Sequence, residues 1–145
     1  AIIGWLAERH PGAGLWPAGA ERWRAQAWMD WSAGAGRAVG VVRTAYRRES
    51  PDLDDIARSL QDAALVLQPA EQRLARRDYL MGERLTVADL ALGVIVHRWF
   101  RVPESLAAPP LENLQAWYRR LARRPAYAEH VLARVSVRPQ RVGGV

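Results

Sequence analysis

The chain has 145 residues, half of them apolar, with a formal net charge of +6 and no cysteine. That is one domain's worth of chain with ample apolar mass for a core, and it excludes disulfide scaffolds, thiolate metal sites and cysteine nucleophiles from these residues. All 21 basic residues are arginine, spread through every segment in pairs such as Arg47-Arg48, Arg76-Arg77, Arg119-Arg120 and Arg123-Arg124, so the charge reads as solvated helix faces and no nucleic-acid partner is expected.

Ala1 to about Glu8, with apolar Ile2, Ile3, Trp5 and Leu6, reads as the last turns of a helix that His10-Pro11-Gly12 brings to an end, because proline cannot continue one. The start shows no basic leader or small-residue cleavage site, so it does not read as a signal peptide. Residues 9–19 form a Gly/Pro linker in which Trp16 is expected to pack against something. A long helix is predicted from Ala20 to Tyr46, dense in Trp at 23, 28 and 31, with Gly34, Gly36 and Gly40 in its second half. Each glycine costs up to about 1 kcal/mol relative to alanine in a helix, which implies close approach of a backbone or ligand, or a bend.

Arg47 to Asp52 breaks the pattern, and a helix begins near Leu53. Its residues Ile56, Leu60, Ala63, Ala64, Leu67 and Leu74 recur at helical spacing and mark one buried face. Asp54-Asp55 fits a first helical turn, where the macrodipole favours carboxylates. Pro69 predicts a kink or two shorter helices. Asp78 to Leu85 is a loop. Thr86 to Trp99 is a helix apolar nearly all round, as expected in the middle of a bundle. Its run Leu90 to Val96 is far below the roughly 18 to 20 residues that span a bilayer, so no membrane partner is expected. Leu111, Leu114, Trp117, Tyr118 and Leu121 carry a fourth helix; Pro125 opens a short last one to about Val135, followed by a patternless tail through Pro139 and Gly143-Gly144 that is expected to fray. No run alternates with the period of a strand.

Thr86-Val87-Ala88-Asp89 is a capping box: Thr86 accepts the N–H of Asp89, and the Asp89 carboxylate reaches back to the N–H of Thr86. Leu85 and Leu90 occupy the positions of a hydrophobic staple around the same turn. This device is structural and carries no catalysis. His10, His97 and His130 lie far apart without ligand spacing, so no metal site is expected. There is no Gly-x-Ser-x-Gly, phosphate loop or dinucleotide fingerprint, and hence no catalytic residue to name.

The longer run Tyr79-Leu80-Met81-Gly82-Glu83-Arg84-Leu85-Thr86-Val87-Ala88-Asp89-Leu90-Ala91 resembles the signature of the C-terminal domain of glutathione transferases. The likeness continues in order. Trp28-Met29-Asp30-Trp31 resembles that domain's first helix, Val96-His97-Arg98-Trp99-Phe100 the end of its central one, and Leu114-Gln115-Ala116-Trp117-Tyr118 with Arg124-Pro125-Ala126-Tyr127 its closing segment. Ala1-Ile2-Ile3-Gly4-Trp5-Leu6-Ala7-Glu8 resembles the stretch immediately after the glutathione-binding Glu-Ser or Glu-Thr in the last helix of the thioredoxin-like domain.

The resemblance implies an all-α helical bundle of the glutathione transferase C-terminal type. Residues 1–19 would be the end of the last helix of a missing thioredoxin-like N-terminal domain plus the interdomain linker, and residues 20–145 the helical domain. It further implies a cytoplasmic, homodimeric detoxification enzyme that adds the glutathione thiolate to a hydrophobic electrophile, with glutathione as co-substrate and no other cofactor. The catalytic residue would lie upstream of Ala1, leaving this fragment inactive and monomeric or weakly associated. Trp31, Ser32 and Ala35, which share a helix face, are the expected electrophile-binding wall, with Trp99 a poorer candidate. Trp28, on the same face, is expected in the core. Some family members carry an acidic or amide side chain in this stretch that helps to hold glutathione; Ser32-Ala33-Gly34-Ala35 offers none. The alternative is a glutathione-transferase-like module used only for protein interaction, which keeps the same helical signature. The residues do not distinguish the family's classes, the electrophile, or conjugation from peroxidase, isomerase or thiol-exchange activity.

Overall fold

The computed structural model describes residues 2–134. The elements are α1 (Ile2–Arg9), α2 (Ala20–Tyr46), α3 (Leu53–Leu74), α4 (Val87–Trp99), α5 (Glu112–Ala122) and the short α6 (Pro125–Tyr127), which runs on into a π-helical turn at Ala128–Leu132. Single 3-10 turns at Pro11–Ala13 and Glu104–Leu106 lie in the connections. Among the described residues there is no strand, only an isolated bridge between Tyr79 and Gly82. The fold is the all-α one that the helical periodicities predict. Ala1, the expected helix end at Val135 and the tail with Pro139 and Gly143-Gly144 lie outside the described residues.

The helix starts illustrate three ways of satisfying orphaned N–H groups. At α3, Asp52 is the N-cap, and its Oδ1 accepts from the N–H groups of Asp54 (2.8 Å) and Asp55 (3.2 Å). At α4, both arms of the Thr86/Asp89 box are in place; the Thr86 N–H and hydroxyl both donate to Asp89 Oδ2, at 2.9 and 3.0 Å. At α5 the N-cap position is Leu111, which has no acceptor of its own. The carboxylate of Glu71, on α3, replaces it by accepting from the N–H groups of Asn113 (3.0 Å) and Leu114 (2.8 Å) and from the Asn113 side chain (2.7 Å). A cap borrowed from another helix ties α3 to α5 as well as closing a helix end.

The connection over residues 47–52 folds α3 back along α2, and α4 packs against both α2 and α5. Glycines permit two of these approaches. A Cβ at Gly36 of α2 would meet Ile95 Cδ1 of α4 at 3.3 Å, and one at Gly93 of α4 would meet Leu121 Cδ1 and Tyr127 Cε2, both at 3.0 Å. The space left at Gly93 is filled by the Tyr127 ring, whose hydroxyl donates to the Gly93 carbonyl at 2.7 Å. Leu60, Leu67, Val39, Val42, Leu92, Val96, Leu114, Trp117 and Leu121 fill the core between the helices. Pro69 does not divide α3: the helix is continuous from Leu53 to Leu74. Proline at 69 removes the hydrogen bond that the Leu65 carbonyl would otherwise accept and crowds that carbonyl with its ring, and Leu65 lies on the solvent side of the helix.

Asp89 is buried and accepts four hydrogen bonds: besides the two from Thr86, Oδ1 accepts from the Leu80 N–H (2.9 Å) and the Trp117 indole N–H (3.0 Å). Burial raises the pKa of its carboxyl, and the four donors offset only part of that rise. Asp89→Ala leaves these donors without a partner inside the protein, so it is expected to lower unfolding free energy by about 3 kcal/mol or more, against the roughly 1 kcal/mol of an ordinary cap. Urea denaturation followed by circular dichroism checks this; a loss of cap size would mean that the donors find other partners.

Candidate functional site

An apolar groove of about 390 Å³ lies between α2 and α3, lined by Arg24, Ala27, Trp28 and Trp31 from α2 and by Pro69 and Arg73 from α3. The positions follow from helical geometry. Arg24, Trp28 and Trp31 step by four and three residues, with Ala27 beside Trp28, and Pro69 and Arg73 are one turn apart, so each set forms a single stripe. Trp28 and Trp31 meet edge to face, with centroids 5.1 Å apart and planes at 87°, the arrangement that the ring quadrupoles favour. Arg24 pairs with Glu21 on its own helix. Arg73 donates from Nε to the Leu80 carbonyl at 2.8 Å, and its guanidinium is held somewhat below its usual pKa, first by burial and then by the nearby Arg77 and Arg24.

The groove therefore offers two indole surfaces and a proline ring, with a guanidinium at either side. It can bind a flat apolar molecule and accommodate a partial or full negative charge on it. No nucleophile, general base or metal ligand is among its lining residues, and the described residues hold no cluster of groups that could bind a metal. His10 lies in the exposed linker. His130 is at the molecular surface, 3.9 Å from Glu129. His97 is buried, with Nδ1 2.7 Å from the Tyr118 hydroxyl.

Of the residues singled out in the sequence, Trp31 is half-buried and lines the groove. Ser32 is buried, and its hydroxyl donates to the Trp28 carbonyl at 2.8 Å. Ala35 is fully enclosed and Trp99 is 2% exposed, both within the core cluster. Trp28 is half-buried and touches both the core and the groove. Arg24, Ala27, Pro69 and Arg73 were not anticipated. The signal was present in their spacing, but Pro69 invites attention as a helix breaker rather than as a wall.

A second concavity of about 470 Å³ lies where the linker crosses the bundle, between Gly14, Pro17, Glu21, Met81, Glu83, Arg84 and Thr86. The linker is anchored there by the Val87 N–H, which donates to the Leu15 carbonyl at 2.9 Å. Trp16 packs on α1, its ring 3.5 Å from where a Gly4 Cβ would stand, with the Arg22 guanidinium 5.4 Å from the ring centroid on α2.

These placements predict different costs. Trp99→Ala, an enclosed side chain, should lower unfolding free energy by about 3 to 5 kcal/mol, whereas half-buried Trp31→Ala should cost less than half of that. Denaturant unfolding of the two variants decides the order; equal losses would place Trp31 in the core.

Residues 38–125 match the family described as "Glutathione S-transferase, C-terminal domain". The chain is 33% identical over 143 residues to Glutathione S-transferase GstB of Escherichia coli K12, covering 94% of this chain and 67% of that protein. Among solved structures it is similar to the theta class glutathione S-transferase of Xanthomonas axonopodis pv. citri with glutathione bound. There the TM-score is 0.77 with 35% identity, covering 93% of this chain and 72% of that one. A glutathione transferase family member from Pseudomonas fluorescens pf-5, 23% identical with a TM-score of 0.75, covers 88% of this chain and 59% of that one and shares the fold.

Proposed function

This chain belongs to the glutathione S-transferase family, whose C-terminal domain it carries, and from that membership we propose that it forms the electrophile-binding half of an enzyme adding the glutathione thiolate to a hydrophobic electrophile. In this reading residues 1–19 close a thioredoxin-like domain and link it to the helical domain of residues 20–145. The other domain binds glutathione and lowers its thiol pKa; the thiolate sulfur then forms a bond to the electrophilic carbon, whose displaced electron pair leaves with a leaving group or is protonated after addition. The part assigned to this chain is to hold the acceptor against an apolar wall from which water is excluded.

The observation that carries the reading is the Trp28/Trp31 groove, which has the surface to bind an aromatic acceptor and no group to activate a thiol. Trp31 is its central contact, and Trp28 braces it edge to face. Ser32 and Ala35, buried beside it on α2, back the wall, whereas Trp99 belongs to the core at the far end of α4. The two guanidiniums at the rim would favour acceptors that gain negative charge as the sulfur adds, such as nitroaromatics. The glutathione bound in the Xanthomonas relative supports glutathione as the co-substrate.

The apolar side chains of α1 support the domain division. Ile2 is 76% and Trp5 54% exposed, and Ile3 and Leu6 are exposed as well, an apolar surface that suits a covering domain. The proposed assembly of the whole enzyme is a cytoplasmic homodimer in which the first two helices of this domain meet the partner's thioredoxin-like domain, leaving the domain alone monomeric or weakly associated.

The test is the enzyme carrying both domains. Trp31→Ala should raise KM for a nitroaromatic electrophile by about tenfold or more, the equivalent of losing much of an aromatic contact, while KM for glutathione stays at its wild-type value. Residues 1–145 alone should show no glutathione binding by calorimetry. Unchanged electrophile selectivity in Trp31→Ala, or micromolar glutathione binding to the isolated chain, would overturn the assignment; a two-domain protein with no transferase activity would favour the interaction module.

A further inference from the structure

A further hollow of about 460 Å³ lies between the end of α2 and the end of α4, lined by Gly40, Arg43, Thr44, Arg47, Arg48 and Arg98. No carboxylate lines it. Arg48 is held from the side by Asp55, at 2.7 Å, while Arg43, Arg47 and Arg98 form no ion pair with any described residue. Four guanidiniums less the one carboxylate leave a formal charge of +3 around one small concavity. The last-turn positions of Arg43 and Arg98 are explained in part by the negative ends of the two helix dipoles. That attraction acts on each arginine separately and gives no reason for a hollow between them.

Gly40 supplies the second observation. Glycine inside a helix costs about 1 kcal/mol relative to alanine, and the cost is usually offset by a close neighbour, as Ile95 is for Gly36. A Cβ at Gly40 would meet nothing within 4 Å. Among the described residues no contact requires the missing side chain, and Gly40 is itself part of the lining of the arginine-rich hollow. Thr44, whose hydroxyl donates to the Gly40 carbonyl at 3.0 Å, adds an oxygen to the same lining.

We propose that this hollow is a binding site for a small phosphate-bearing anion of about diphosphate size. Arg43 in the last turn of α2, Arg47 at the cap that follows it and Arg98 in the last turn of α4 all line the one hollow, and the planar donor fork of a guanidinium suits tetrahedral phosphate oxygens. The volume lies in the range of small-ligand pockets and exceeds what a single phosphate occupies. A duplex would instead need a basic stripe extended along the surface, which the scattered arginines do not supply. The site is independent of the Trp28/Trp31 groove and of the transferase reading.

Titration calorimetry of the chain at ionic strength fixed with sodium chloride tests the site, using inorganic phosphate, pyrophosphate and adenosine diphosphate as probes. Pyrophosphate should bind saturably with one site per chain and more tightly than phosphate; tighter binding of the nucleotide than of pyrophosphate would identify the source as a nucleotide, and the reverse a free diphosphate. Arg98→Gln should weaken binding by about tenfold or more, the loss of a charge-assisted hydrogen bond. Gly40→Leu keeps every charge and improves helix propensity, so it should melt no lower than wild type in chloride yet lose pyrophosphate binding. No saturable binding, pyrophosphate affinity unchanged in Gly40→Leu, or preferential binding of duplex DNA indifferent to that substitution would each overturn the proposal.

Discussion

The buried carboxylate of Asp89 is the constraint on which the rest of the structure depends. Its two oxygens gather donors from the loop (Leu80), the start of α4 (Thr86) and the middle of α5 (Trp117). Burying a carboxylate is unfavourable unless its hydrogen bonds are made, and here both oxygens are supplied by groups that would otherwise be buried donors without acceptors. From this point the connections run outward. The Leu80 carbonyl accepts from Arg73 at the edge of the groove, and Val87, next to the cap, donates to Leu15 of the linker. One side chain thus sets the loop, the entry of the central helix, the path of the linker and one rim of the proposed acceptor site.

The same economy separates the arginines by role, although composition alone makes them look interchangeable. Arg22 bridges to Glu8 and covers Trp16, holding α1 to α2. Arg73 fastens the loop to α3, and Arg120 reaches the Asp78 side chain at 3.1 Å while lying 5.7 Å from the Tyr79 ring centroid. Arg43, Arg47 and Arg98 have no such duty within the described fold. Exposed arginine pairs of the first kind contribute little to stability one at a time; their contribution is to fix where loops and helices sit, which is what a substrate wall between two helices requires.

Much of this was legible in the residues. The Thr86-x-x-Asp89 box, the apolar spacing of α3 and the breaks at Pro11, Pro51, Pro103 and Pro125 are local signals, and local signals survive folding. The features that were not legible depend on a second helix. Spacing puts Trp31, Ser32 and Ala35 on one face of α2, but it does not say that neighbouring helices enclose Ser32 and Ala35 and leave Trp31 at an edge. Pro69 reads as a kink or a break because the sequence does not show that Leu65, whose carbonyl it orphans, lies on the solvent side. The cap that Glu71 lends to α5 joins residues about forty positions apart, and nothing near Leu111 announces it. Trp117 is legible as core from its period, yet its hydrogen bond to Asp89 is a property of the packed bundle.

Native-state hydrogen exchange gives the most direct test of Asp89 as the organising contact. The Leu80 and Thr86 amides, both bound to the carboxylate, should exchange only through global unfolding, with the same free energy and denaturant dependence as the Leu92 and Val96 amides inside α4. If Leu80 and Thr86 instead exchange through local opening while Leu92 and Val96 remain protected, the loop and the helix start are not held by the core, and Asp89 does not organise the domain.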